Sequence, residues 1–68
     1  MYRLLLDDSY RVTELAQGSS QDQMVGRAVS ILVDNGLPVS DLHIWPESAG
    51  KTVIDYGSWT HYFYVERI

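Results

Sequence analysis

Asp55, Ser58 and His61 are the residues of this sequence whose types and spacing come nearest to catalytic chemistry. A hydrolase triad needs a serine hydroxyl within hydrogen-bond reach of an imidazole, with a carboxylate behind the ring. Residues of a single hairpin rarely reach that order, and no nucleophile-elbow signature surrounds this serine. We therefore predict that Asp55 and Ser58 bond turn amides and that His61 is a half-buried sheet residue. We expect no catalytic residue, and a protein that is not an enzyme.

The two histidines suggest a second kind of chemistry, a metal site that His43 and His61 share with Asp41 or Asp55. Histidines on neighbouring strands sometimes face the same ion, but the sequence has no paired spacing such as His-x-x-x-His. Cysteine is absent, which excludes thiolate ligands and disulfides. We predict structural or solvent-facing histidines, with no metal and no cofactor.

Aromatic residues are concentrated at the end of the chain, where five of the eight lie between Tyr56 and Tyr64. Successive side chains of a strand point to opposite faces of its sheet. Phe63 and Val65 then face one way, toward a core covered by a helix, and Tyr62 and Tyr64 face the other way. This alternation predicts a tyrosine-rich surface on the uncovered side of a sheet.

Five strands are expected to position these residues. Runs of β-branched and aromatic residues between turn-forming clusters predict strands at residues 2–6, 10–15, 41–45, 51–56 and 60–67. The third strand is expected to stop before Pro46. Leu5 lies on the opposite face from Leu4 and Leu6, which favours a central first strand that is covered on both sides.

One helix is predicted between the second and third strands. Ser20 and Gln23 match a capping box at its start, and Asn35-Gly36 followed by Pro38 terminates it. The apolar stripe runs through Met24, Ala28, Ile31 and Leu32. The element order is therefore ββαβββ. We predict a single α+β domain over residues 1–68, an antiparallel sheet of four to five strands with one helix packed on one face.

Charge and size limit the kinds of partner. The net charge is −4 and the basic residues are scattered singly, which argues against direct nucleic-acid binding. We expect a protein partner with a basic or nucleic-acid-binding surface. A chain of 68 residues buries only about 60% of its unfolded surface, so a homodimer is a further expectation. Met1 fits a natural start without a leader, and the apolar runs are too short to span a bilayer, so we expect a cytoplasmic protein without membrane contact.

The seven tyrosines and tryptophans are the best candidates for a binding surface, since these rings bury a large area and keep a polar group. Carboxylates near the turns add an acidic array that resembles a nucleic-acid backbone. The predicted partner-binding residues are Trp59, Tyr62, Tyr64, Tyr56, Asp7 and Asp8. Two alternatives stay open: the rings pack across strands within the sheet, or the chain is a structural domain that dimerises through a C-terminal edge strand.

The run Ile-Asp-Tyr-Gly-Ser-Trp-Thr-His-Tyr-Phe at residues 54–63 resembles small proteins of bacteriophages and mobile elements in Gram-positive bacteria. Anti-CRISPR proteins are similar to this chain in size, acidity and lack of enzymatic motifs. The resemblance implies a phage-encoded inhibitor that binds and blocks a nucleic-acid-binding defence enzyme in the cytoplasm of the host cell.

Overall fold

The fold is that of a computed structural model, which describes residues 1–68. The elements are β1 (Tyr2–Asp7), β2 (Val12–Gly18), α1 (Gln21–Asp34), β3 (His43–Ser48), β4 (Lys51–Asp55) and β5 (Tyr62–Arg67). All neighbouring strands pair antiparallel in one five-stranded sheet, and α1 packs on one face of it. The predicted α+β class and the order ββαβββ are confirmed. The single helix, α1, lacks the length and apolar character needed to cross a membrane.

The strand order is β2-β1-β5-β4-β3, which places the C-terminal strand in the middle of the sheet. The expectation that this strand forms an edge was therefore wrong. β5 pairs along its whole length with β1, for example Leu4 with Val65, and its other side pairs with β4. The physical reason is that Phe63 and Val65 of β5 are buried in the core, and strands on both sides of β5 help to enclose them.

The hydrophobic core lies between α1 and the face of the sheet that it covers. Met24, Ala28 and Leu32 project from the helix at the predicted spacing, and each is buried. Their partners on the sheet are Leu4, Ile54, Phe63 and Val65. Burying one such aliphatic or aromatic side chain stabilises a fold by roughly 1.5–3 kcal/mol. α1 packs mainly over β1, β2 and β5, so it holds the two N-terminal strands against the C-terminal one.

The ends of α1 follow the predicted capping chemistry with one difference. The Ser20 hydroxyl accepts a 3.1 Å hydrogen bond from the Gln23 amide, as a capping box requires. The side-chain oxygen of Gln23 accepts from the amide of Ser19, one residue before the expected one. At the other end, the Asn35 amide donates to the Ile31 carbonyl, and Gly36 has a φ of +68°. A positive φ there suits glycine, which has no Cβ to clash.

The third strand does not stop before Pro46 as predicted, because β3 runs from His43 through Pro46 to Ser48. β3 is an edge strand, and its pairing with β4 is irregular between Pro46 and Ser48. Proline lacks a backbone N–H and is tolerated in a sheet at an edge or a bulge, which is where this one lies. The edge position could not be inferred from the local sequence.

Leu5 is buried on the face of the sheet opposite α1, although no helix or second sheet covers that face. It has an exposed fraction of only 8%. Its cross-strand partners are Glu14 on β2 and Tyr64 on β5. β1 is therefore an inner strand, as predicted, but no second layer covers its open side, where Leu5 is the one buried residue of the strand.

Candidate functional site

We call the face of the sheet opposite α1 the open face. Its central row crosses all five strands in register: Glu14, Leu5, Tyr64, Val53 and Trp45. Leu5 and Val53 form a buried base, whereas Trp45 remains 40% exposed at the end of the row. The alternation predicted for β5 is present, since Phe63 and Val65 are in the core and Tyr64 lies on the open face.

Tyr64 lies in the middle of this row, and the side chain of Lys51 packs over its ring. The Lys51 ammonium lies 4.3 Å from the centroid of the Tyr64 ring. The same ammonium is 3.5 Å from a carboxylate oxygen of Glu47. Burial, and secondarily the charge of Asp7, raises the pKa of the Tyr64 hydroxyl. Tyr64 thus packs against its cross-strand neighbours and stacks with a lysine of its own chain, which is the cross-strand packing role weighed for the rings.

One end of the open face is closed by a three-strand charge cluster. Arg3 on β1 bonds Glu66 on β5 at 2.6 Å and lies 3.6 Å from Glu14 on β2. The hydrogen bond to Glu66 is the main reason that the Arg3 pKa is raised. The single arginine thus links two carboxylates and ties together three strands at this end.

The other end of the open face has an unneutralised acidic row around Tyr62. Asp7 on β1 is the direct cross-strand partner of Tyr62. On the other side, the β4–β5 pairing ends at Ile54 and Phe63, and Asp55 is the next residue of β4 beyond that pair. Asp55 in turn pairs with His43 on β3. None of the ion pairs of the protein includes either aspartate.

Asp7 and Asp8 shape the turn between β1 and β2. An Asp7 carboxylate oxygen accepts a bond from the Ser9 amide at 3.0 Å. Asp8 accepts from the amides of Tyr10 and Arg11, and these bonds hold the pKa of the Asp8 carboxyl below its usual range. Both side chains therefore have a local structural role, which does not prevent a contact through the remaining oxygens.

Two aromatic rings stand at the tips of the loops beside this acidic end. Trp59, between β4 and β5, is 96% exposed, and Tyr10, between β1 and β2, is 97% exposed. The predicted binding set included Trp59 but omitted Tyr10 and Trp45. The register of the β3–β4 hairpin pairs Trp45 with Val53, eight residues later, and so places it on the open face.

Tyr56 does not lie with the other predicted binding residues. Its ring packs against Phe63 with 5.5 Å between centroids, on the core side of the sheet. Burial raises the pKa of its hydroxyl. Alternation along β4 already gives this result, since Tyr56 shares a side with Ile54 and not with Asp55. The predicted set is thus divided between the open face, the loop tips and the core side.

A groove of about 450 Å³ lies beside Tyr56, next to the segment that follows α1. Its lining residues are Leu37, Pro38, Tyr56, Gly57, Ser58 and His61. It is the only pocket of the structure. The lining combines the side chains of Leu37, Tyr56 and His61 with the loop residues around them, and Tyr56 lies on the core side of the sheet rather than on the open face.

The three residues with triad chemistry make turn contacts. Asp55 accepts from the Gly57 amide at 2.8 Å, and the Ser58 hydroxyl accepts from the backbone amide of His61 at 3.0 Å. The imidazole of His61 meets the Thr60 hydroxyl through Nδ1, at 2.6 Å. This arrangement agrees with the interpretation of Asp55 and Ser58 as turn formers.

The two histidines are not brought together. His43 lies opposite Asp55 in the sheet, whereas His61 lines the groove beside Tyr56. No group of three or more His, Asp or Glu side chains is placed to hold one ion.

Comparisons with protein families, with curated proteins and with solved structures find no match to this chain.

Proposed function

We propose that this chain is a protein-binding module that acts without catalysis and docks its partner on the open face of the sheet. The observation that carries the proposal is the central row of that face, where Tyr64 lies between the buried Leu5 and Val53 and Trp45 follows Val53 at the exposed end. Aromatic rings on a preformed apolar base, with charged groups at the margin, are typical of binding hot spots.

The area of the open face indicates which other parts of the protein a partner would also have to contact. Five strands about 4.8 Å apart and six residues long present a face of roughly 19 by 20 Å, or about 400 Å². A standard interface buries about 800 Å² on each partner. The face alone is therefore too small. A partner that also contacts the loop tips at Tyr10 and Trp59 would reach the usual size.

The chemistry of the partner follows from charge. The chain has a net charge of −4, and two aspartates of the open face are not paired with a cation. A protein with a basic or nucleic-acid-binding surface is the complementary partner. The specific form of the proposal is a phage-encoded inhibitor of a host nucleic-acid-binding defence enzyme in the cytoplasm, which is supported by the acidity and small size of the chain.

The experiment compares capture of proteins from bacterial lysate by the wild type and by surface variants. Trp45→Ala and Trp59→Ala should reduce recovery of a specific partner about tenfold or more, as expected for hot-spot rings. Val33→Ala is the matched control, because Val33 is an exposed apolar residue on α1, away from the open face. Recovery that falls with Val33→Ala and not with the tryptophan variants would place the docking surface on the helix and reject the proposal.

Self-association is the second candidate, through a different strand from the one first expected. β2 and β3 are the two edges of the sheet. β3 contains Pro46, a residue that blunts an edge because it has no N–H to donate. β2 has seven residues and no proline, so its outer side can add a strand. Sedimentation over a range of protein concentrations tests this, and a monomer throughout would reject it.

A further inference from the structure

We infer that Tyr62, together with Asp7 and Asp55, forms a site on the open face for an arginine side chain of the partner. The inference rests on the proposed function and makes it more specific, because it assigns one residue type of the partner to one place on the face. It concerns the acidic end of the sheet, and not the central row that carries the proposal above.

The geometry of this end is that of one ring between two carboxylates. Asp7 pairs with Tyr62 on one side, and on the other side Asp55 follows the last β4–β5 pair, Ile54 with Phe63. The strands that carry the two aspartates are separated by β5, so their backbones are about 10 Å apart. A planar guanidinium that stacks on the ring between them can donate toward both sides, which a lysine ammonium does less well.

The protein itself contains a related arrangement at Tyr64, the next residue of β5 on the open face. The Lys51 ammonium lies 4.3 Å from the centroid of the Tyr64 ring and 3.5 Å from a Glu47 oxygen. A cation is therefore already held between a tyrosine ring and a carboxylate on this face. Tyr62 has two carboxylates beside it, and no cationic side chain of its own chain stacks on it.

The charges of the open face also favour a cationic ligand at Tyr62. Arg3 is paired with Glu66 and Glu14, and Lys51 with Glu47. Asp7 and Asp55 are in no ion pair, whereas Glu14 and Glu66 share one arginine. The cross-strand partner of Asp55 is His43 on β3.

The two carboxylates are also held in place. Oδ1 of Asp7 accepts from the Ser9 amide and Oδ1 of Asp55 accepts from the Gly57 amide, at 3.0 and 2.8 Å. These bonds fix each side chain and leave Oδ2 available. A preorganised pair of acceptors loses less conformational entropy when a ligand binds.

The test is an NMR titration with a short arginine-rich peptide, and with the same peptide in which citrulline replaces arginine. Citrulline keeps the shape of arginine and removes its charge. The arginine peptide should shift the ring signals of Tyr62 and saturate, and the citrulline peptide should bind at least about threefold more weakly, as expected for loss of a cation–π and ion-pair contact.

Asparagine variants separate charge from structure, because asparagine keeps the oxygen that the turn amides require. Asp7→Asn and Asp55→Asn should each weaken peptide binding about threefold, and the double variant about tenfold. Asp34→Asn is the control, since it removes the same charge from the last turn of α1. It should weaken binding less than about 1.5-fold, because it changes only the screened long-range attraction between the protein and the peptide.

Equal weakening by the double variant and by the Asp34→Asn control would overturn the inference, and so would equal binding of the citrulline peptide. Either result leaves the proposed function intact if Trp45→Ala still abolishes capture of the partner. A site-specific arginine response combined with normal capture by the Trp45→Ala variant would support the arginine site and reject the central row as the docking surface.

Discussion

The Ser9 hydroxyl donates a 2.7 Å hydrogen bond to the carbonyl of Thr60, 51 positions later in the chain. This bond joins the turn between β1 and β2 to the loop between β4 and β5. Those two segments carry Tyr10 and Trp59, the most exposed rings of the protein. The relative position of the rings, and with it the shape of any contact at this end of the sheet, depends on the bond.

Removing the hydroxyl should therefore loosen the two loops at a small cost in stability. Ser9→Ala is expected to lower the free energy of unfolding by about 1 kcal/mol, the usual net contribution of a hydrogen bond. Ser9→Gly should cost less, because Ser9 has a φ of +76° and glycine adopts that conformation without strain. Urea denaturation of the three proteins measures the order. A glycine variant that is clearly less stable than the alanine variant would show that strain is unimportant here.

Trp59→Ala and Tyr64→Ala should differ in their effect on stability. Trp59 is 96% exposed, so its removal is expected to change the free energy of unfolding by less than about 0.5 kcal/mol. Tyr64 lies between Leu5 and Val53 in the central row, so its truncation uncovers both and should cost about 1–3 kcal/mol. Thermal melting followed by circular dichroism distinguishes the two. If the Trp59 variant binds its partner less well, the loss then reflects a missing contact. For the Tyr64 variant, the loss of stability has to be taken into account first.

Ser20→Ala should destabilise the helix by about 1 kcal/mol, because its hydroxyl satisfies the Gln23 amide at the N-cap position. Ser20→Asp keeps an acceptor there and should retain nearly all of the stability. Ser19→Ala is the control, since the Ser19 hydroxyl makes only a long contact of 3.5 Å to the Gln23 side chain. Chemical denaturation that finds Ser19→Ala as costly as Ser20→Ala would contradict the assignment of the cap.

Acid should weaken the fold partly through Asp8. The pKa of this carboxyl is lowered in the folded protein, first by the hydrogen bond from the Arg11 amide and then by that from Tyr10. A group with a depressed folded pKa contributes stability above its unfolded pKa, about 4 for an aspartate, and that contribution is lost as the pH falls through the folded value. Asp8→Asn should therefore flatten the fall in stability below about pH 4. Urea midpoints measured from pH 6 downward would contradict this if the two proteins lost stability in parallel.

The helix and the faces of β5 were determined by the sequence itself. Capping at Ser20, termination at Asn35 and the apolar spacing from Met24 to Leu32 are interactions within a few residues of one another. They were predicted because short-range geometry is nearly the same in every helix. The alternation of Phe63 with Tyr64 is local in the same sense, and it also assigns Tyr56 to the core side.

Only the tertiary structure decided which strands are neighbours. That choice moved the C-terminal strand from the edge to the centre and allowed β3 to continue past Pro46 at an edge. It also placed Asp7 beside Tyr62, 55 residues later, and Leu5 beside Tyr64. Strand pairing depends on which surfaces best enclose a common core, a property of the whole chain. The aromatic and acidic residues were identifiable from the sequence, whereas their grouping into one face was a consequence of the fold.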